Sequence, residues 1–300
     1  MIQKYPRDMV GYGQKTPKVK WPNNAKLALQ IVLNYEEGSE NCVLHGDKTS
    51  EVFLSEIIGA QPVKGRHINM ESLYEYGSRR GFWRIHKLFQ EKKIPITIFG
   101  VGMALEKNLE ICQAIKESDY EVASHGWRWI DYQKVSRSTE KKHMRLAIKS
   151  IEKIFGKRPL GWYTGRCSPN TRDLVMEEGG FLYDSDSYSD DLPYWEVRGK
   201  KKQLIIPYTL DNNDMRFATN QGFNSGEQFY TYLKDSFDAL YNEDSPPKMM
   251  SVGLHCRIIG RPGRIQSLKK FLDYVLKHKG VWICKRIDIA KHWIKNYSIK

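Results

Sequence analysis

LALQIVLNYEEG, residues 27–38, sets an apolar-rich run (Leu27–Leu33) directly against an amide, an aromatic ring and two acids, Asn34, Tyr35, Glu36 and Glu37, before Gly38. A short apolar run that ends at polar and glycine residues reads as a strand. The pattern recurs at Ile96–Val101, Tyr120–Ala123, Gly161–Thr164, Leu204–Tyr208, Met250–Leu254 and Val281–Cys284. Amphipathic stretches separate these runs, at Arg79–Lys92, Ala104–Glu117, Thr139–Phe155, Thr171–Glu178, Gly226–Tyr241, Arg264–Lys279 and Ile287–Lys295. In the clearest of them Met144, Ala147, Ile148, Ile151, Ile154 and Phe155 share one face at three- and four-residue spacing, with Ser138 as the expected cap. Strands alternating with crossover helices predict an α/β fold with a parallel sheet, and seven strands suggest a barrel.

The length of 300 residues suits such a barrel as a single domain, 1–300. Residues 1–24, with Pro6, Pro17 and Pro22, read as an extended arm, and 38–78 as a long polar, glycine-containing excursion of the kind that carries function or an oligomer contact. There is no internal repeat and no low-complexity segment.

Hydrophobic residues make up 40% of the chain and Trp, Tyr and Phe number 8, 17 and 11, which excludes a disordered protein. The net charge of +13 is dispersed. Lys200–Lys202 is the one run of three, and Lys269, Lys270, Lys277, Lys279, Lys285 and Arg286 are interrupted by apolar residues, so a solvated surface rather than a nucleic-acid partner is expected. The first thirty residues hold no apolar signal core, and no stretch approaches the roughly 18 apolar residues of a membrane span, which predicts a cytoplasmic protein without membrane contact. Cys42, Cys112, Cys167, Cys256 and Cys284 are odd in number and form no CxxC pair, arguing against disulfides and a thiolate zinc site.

Barrel chemistry sits where strands end at their carboxyl side. Those positions carry Glu36 and Glu37, then His125 followed by Trp127, Arg128 and Trp129, then Arg166, and finally His255 with Arg257. Paired acids push one pKa toward the range useful for acid–base work, although neighbours on an extended chain face opposite ways. His125 and His255 alone among the eight histidines occupy strand ends.

In this order these residues resemble the polysaccharide deacetylases of the NodB-homology type, whose fold is a distorted (β/α)7 barrel. Asn34–Gly38 resembles the family's TFDDG motif, His125–Trp129 its HxxxH motif, Arg166 with Pro169 its third motif, and Leu254–His255 its last. The resemblance implies a general base at Glu36, a metal ligand at Glu37, a second at His125, and a general acid at His255. The third ligand position is Trp129, and indole offers no lone pair to a metal. A catalytic zinc keeps three protein ligands, so no metal and no other cofactor are expected.

That departure is similar to one branch of the family, the metal-independent allantoinases of purine degradation. YPRDMVGYG (5–13), LNYEEGSENCVLHGD (33–47), SHGWRWIDY (124–132) and GLHCRIIGRPGR (253–264) look like that branch almost throughout. The resemblance implies hydrolysis of the hydantoin ring of allantoin to allantoate. A metal can supply up to about 12 kcal/mol of water acidification, a general base only about 3 to 5 kcal/mol, and an electron-poor ring amide is the easier electrophile. Glu36 or Glu37 would activate water, His125 would orient or stabilise the oxyanion, and His255 would protonate the leaving nitrogen. Trp127 and Trp129 would wall the site, and Arg166 and Arg257 would bind a small-molecule substrate. Competing readings are an N-deacetylase of peptidoglycan or chitooligosaccharides and a catalytically inactive binding or assembly protein. The arm and excursion give more edge than a bare barrel needs, so a homo-oligomer is expected, tetramer before dimer.

Overall fold

The computed structural model describes residues 5–243 and 246–299; residues 1–4 of the expected arm lie outside them. Strand β1 (Leu27–Tyr35) is buried at every position. Its odd residues Leu27, Leu29, Ile31, Leu33 and Tyr35 enter the apolar layer beneath the helices. Ala28 and Val32 point the other way, into a second cluster with Phe99, Tyr163, Tyr183 and Tyr208. Each buried Leu or Ile contributes about 1.5–3 kcal/mol, which makes β1 the strand around which both layers assemble.

The other strands are β2 (Thr97–Gly100), β3 (Glu121–Ser124), β4 (Gly161–Trp162), β5 (Tyr183–Asp184), β6 (Tyr194–Arg198), β7 (Lys201–Ile205), β8 (Lys248–His255) and β9 (Val281–Cys284). Seven of them run parallel in the order β8-β1-β2-β3-β4-β5-β7, the distorted barrel expected from the sequence. The wall is incomplete between β7 and β8, where one bridge, Asn213 to Gly253, joins the edges. One barrel member differs from expectation. Val281–Cys284 lies alongside the first half of β1, where β2 does not reach, and the seventh wall strand is the two-residue β5. β6 folds back antiparallel on β7 as an added hairpin.

The helices are α1 (Ile68–Tyr76), α2 (Phe82–Lys92), α3 (Gly102–Lys107), α4 (Leu109–Glu117), α5 (Arg137–Phe155), α6 (Thr171–Glu178), α7 (Gly226–Asn242), α8 (Cys256–Ile259), α9 (Pro262–Val275) and α10 (Arg286–Asn296). The stretch expected as one helix over 104–117 is two, because Asn108 leaves helical geometry and its side chain caps α4 by accepting from the Ile111 amide. Ser136, not Ser138, caps α5, accepting from the Thr139 amide. The expected excursion ends early, since α1 occupies its last part. Of the arm, Val19 and Trp21 are buried, and Trp21 Nε1 donates to the Lys248 carbonyl at 2.9 Å.

Arg286 opens α10 and fills the barrel interior. Its Nη1 donates to Gln30 Oε1 (2.7 Å) and Ser251 Oγ (3.0 Å), Nε to Ser185 Oγ (3.2 Å), and Nη2 to the carbonyls of Ile206 and Pro207. A buried guanidinium is tolerated only when its donors are satisfied in this way.

A π-helical turn, Gly77–Gly81, joins α1 to α2 and presses backbone against the strand ends. A Cβ at Gly81 would sit 2.0 Å from the Cys256 carbonyl oxygen, and one at Gly77 2.3 Å from Glu37 Oε1. Overpacking of this kind costs about 1–3 kcal/mol. Gly81→Ala is therefore expected to lower the unfolding free energy by about 2 kcal/mol, read as a lower urea midpoint at unchanged m-value.

Candidate active site

Strand alternation separates the two glutamates. Glu36 continues the inward face of Asn34, and Glu37 turns outward against Gly77. Both are buried, at 1% and 3% exposure. Glu37 Oε2 accepts from the Glu36 amide (3.0 Å) and Oε1 from the Arg257 amide (3.2 Å), which ties the end of β1 to α8. Glu36 instead gathers the polar centre. Its Oε1 lies 3.2 Å from His125 Nε2 and 3.5 Å from His255 Nε2, and its Oε2 accepts from Arg257 Nη1 at 2.8 Å.

Behind His255 stands Asp214. Its Oδ1 is 2.6 Å from His255 Nδ1, while Oδ2 accepts from the amides of His255 (2.8 Å) and Ile259 (3.0 Å). One carboxylate thus fixes the ring and caps α8. Asp214 follows Asn213, the residue that bridges the open wall to β8.

Electrostatics divide the carboxylates further. Burial alone would raise the Glu36 pKa, but Arg257, His255 and His125 together hold it well below the usual carboxylate range. Burial pushes Glu37 up to about 7, with the Glu36 charge adding to the rise and Arg257 opposing it. For His255 burial works against protonation, yet Glu36 and Asp214 outweigh it and raise its pKa above the ordinary imidazole value.

Arg257 is fully buried between two rings, its guanidinium carbon 4.2 Å from the Tyr74 centroid and 5.1 Å from that of Trp129. Nε donates to the Leu54 carbonyl at 3.3 Å. Nη1 also lies 3.6 Å from Glu37 Oε1, so one cation faces both carboxylates. The metal that the family resemblance implies does not fit this arrangement. Glu37 is committed to two backbone amides, position 129 is an indole, and a guanidinium already neutralises the acids. Among the described residues no three His, Cys, Asp or Glu side chains are placed to hold a metal ion.

The structure brings Glu36, Glu37, His125, His255 and Arg257 together, with Trp129 against Arg257. Arg166 stands at the edge: Nη1 is 3.3 Å from Glu51 Oε2, and its guanidinium lies over Phe53 and Trp129. The Asp186 carboxylate shapes its turn by accepting from the amides of Thr164 and Gly165. Trp127 packs over Gly102 at the start of α3, and no ring contact or ion pair joins it to the carboxylates among the described residues. Asp214, Tyr74, Glu51 and Leu54 were not found by sequence reasoning. Asp214 opens a 3-10 turn rather than ending a strand, and its only signal is an acid in the segment 211–214, separated from the histidine-bearing strand by the whole of α7. A cavity of about 570 Å³ lies not over this cluster but along the incomplete wall, lined by Asp190, Asp211 and Met250 among others.

Removing one partner of a buried ion pair strands the other charge, at a cost of about 3–5 kcal/mol. Arg257→Met is expected to lower stability by about that amount in chemical denaturation, and a wild-type midpoint would show that Glu36 is neutralised by another group.

Comparison with known proteins agrees with this architecture. The family model for polysaccharide deacetylase matches residues 67–177. A putative polysaccharide deacetylase of Schizosaccharomyces pombe is 42% identical over 98% of both chains. Two crystal structures superpose with a TM-score of 0.97 over 99% of this chain and 100% of theirs: a probable polysaccharide deacetylase from Pseudomonas aeruginosa PAO1, 56% identical, and PuuE allantoinase, 55% identical. A putative polysaccharide deacetylase from Mycobacterium smegmatis, 21% identical with a TM-score of 0.78, shares the fold. With a relative 42% identical along almost its whole length and a barrel that superposes on solved members, the chain belongs to the polysaccharide deacetylase family and is a hydrolase of carbon–nitrogen bonds.

Proposed function

We propose that this hydrolase opens the hydantoin ring of allantoin to allantoate, a step of purine degradation, without a metal ion. The observation that carries the reading is the Glu36 carboxylate shared by His125, His255 and Arg257, in a centre where the arginine already neutralises the acid and an indole, Trp129, stands at the third ligand position of the motif. The 55% identity to PuuE allantoinase supports the choice of ring amide over acetamide.

Glu36 and His255 act as a coupled pair. The low proton affinity of Glu36 depends on the positive charges around it, and the raised affinity of His255 depends on the negative ones. As His255 gives its proton to the departing ring nitrogen, Glu36 loses a neighbouring charge and becomes a better acceptor for the proton of the attacking water. Asp214 keeps the His255 ring aimed through both steps. His125 shares the same Glu36 oxygen, and its part in this reading is to orient the reactants or stabilise the oxyanion. Glu37 holds α8 in register and so keeps the Arg257 cation at Glu36. Arg166 and Trp129 form the substrate-facing wall.

Chelator-treated protein assayed against allantoin, other hydantoins and N-acetylglucosamine oligomers tests the reading. Hydantoin opening that survives chelation is expected, with Glu36→Gln and His255→Ala each losing about 10²-fold or more in rate at unchanged circular dichroism. Activity confined to the oligomers and restored by added zinc would replace the reading with N-deacetylation.

The pH profile supplies a second check. His255 must carry its proton, so kcat/KM is expected to fall as pH rises through its raised pKa. Asp214→Asn removes one of the charges that raise it, which moves this basic limb to lower pH and reduces the rate. A limb that stays in place in the variant would assign it to another group.

A further inference from the structure

We infer that residues 51–54 form a gate over the Glu36 centre, sealed by Phe53 on Trp129, which admits only substrates small enough to be enclosed beneath it. Resting on the small-ring hydrolase reading, the inference names what sets the size of substrate. Glu36, His125, His255 and Arg257 are 1%, 2%, 5% and 0% exposed, so a water-sized sphere scarcely touches the groups that must meet substrate. Part of their cover is the excursion. Phe53 stacks on Trp129 at 5.9 Å and 18° while 41% exposed itself, one face on the site and the other in solvent.

The ties that hold these four residues to the barrel run through side chains. Arg257 Nε donates to the Leu54 carbonyl, Tyr74 Oη donates to the Phe53 carbonyl at 3.2 Å, and Arg166 pairs with Glu51. The neighbouring backbone bonds stay within the excursion, from the Ser50 amide to the Val63 carbonyl and from the Glu51 amide to the Asn41 carbonyl. On either side the chain is anchored, by Asp47 on Arg128 and by Glu56 on Arg264. Leu54, buried, is held at a φ of +56°, a left-handed conformation that a leucine leaves readily once its contacts part. A short segment, anchored on both sides, with Leu54 in left-handed geometry, and fastened by three polar ties, the Phe53 stack and the burial of the Leu54 side chain, can lift without disturbing the sheet. A polymer chain cannot be covered by it, because both ends of the segment stay attached.

Histidine labelling with diethyl pyrocarbonate, followed by peptide mass spectrometry, tests the gate on the full-length protein without substrate. Phe53→Ala removes the seal, and Glu51→Gln removes the latch charge without removing volume. In both variants labelling of His125 and His255 is expected to rise about fivefold over wild type at the same pH, while that of His292, remote from the segment, does not change. Hydrogen exchange at 50–56 should accelerate in parallel, with β1 unchanged. Wild-type labelling rates at both histidines in both correctly folded variants would overturn the inference. Since the readout needs no turnover, gated labelling in a protein inert toward hydantoins would retain the gate and remove the reaction, and ungated labelling in an active enzyme would do the reverse.

Discussion

The ion pair between Arg257 and Glu36 is the constraint on which the site depends. Each charge, buried alone, would be costly enough to change protonation state or unfold its surroundings. Together, and with Tyr74 and Trp129 covering the flat faces of the guanidinium, they form a neutral unit inside the protein. The unit fixes positions on four segments: the end of β1, the start of α8, helix α1 and the loop after β3. His255 is the residue before α8, so the pair also decides where the imidazole stands.

The same cation distinguishes two adjacent acids of one type. Glu36 faces inward and meets it directly, whereas Glu37 meets it from the outer side at longer range and is held mainly by amides. Orientation follows from strand geometry, and charge state follows from orientation. The Gly77–Gly81 turn contributes by letting a helix backbone approach closely enough to shut out water from Glu37.

Much of this was readable in the chain. Apolar runs of four or more residues marked six wall strands, and strand-end position picked out Glu36, Glu37, His125 and His255. β5 escaped because its apolar run, 181–183, is short and breaks at once into Asp184, Ser185 and Asp186, and Val281–Cys284 carries the same apolar pattern as the wall strands without joining the wall. Which glutamate faces the histidines required the structure, since alternation gives opposite faces but not which is which. Asp214, Tyr74 and Leu54 were hidden for another reason: each acts on a partner 41, 183 or 203 residues away, through contacts that leave no local pattern. The guanidinium of Arg257, expected to bind substrate, is tied in the structure to Glu36 and Leu54, contacts that the sequence did not indicate.

Arg286 has a consequence for how the protein is made. The interior groups it satisfies, Gln30, Ser185, Ser251 and the carbonyls of Ile206 and Pro207, belong to segments that all precede it in the chain. Until Arg286 is docked, those groups have water as their partner, and a tightly shut barrel would leave them without any. Consolidation of the barrel interior therefore requires α10 to dock, although every wall strand precedes it in the chain.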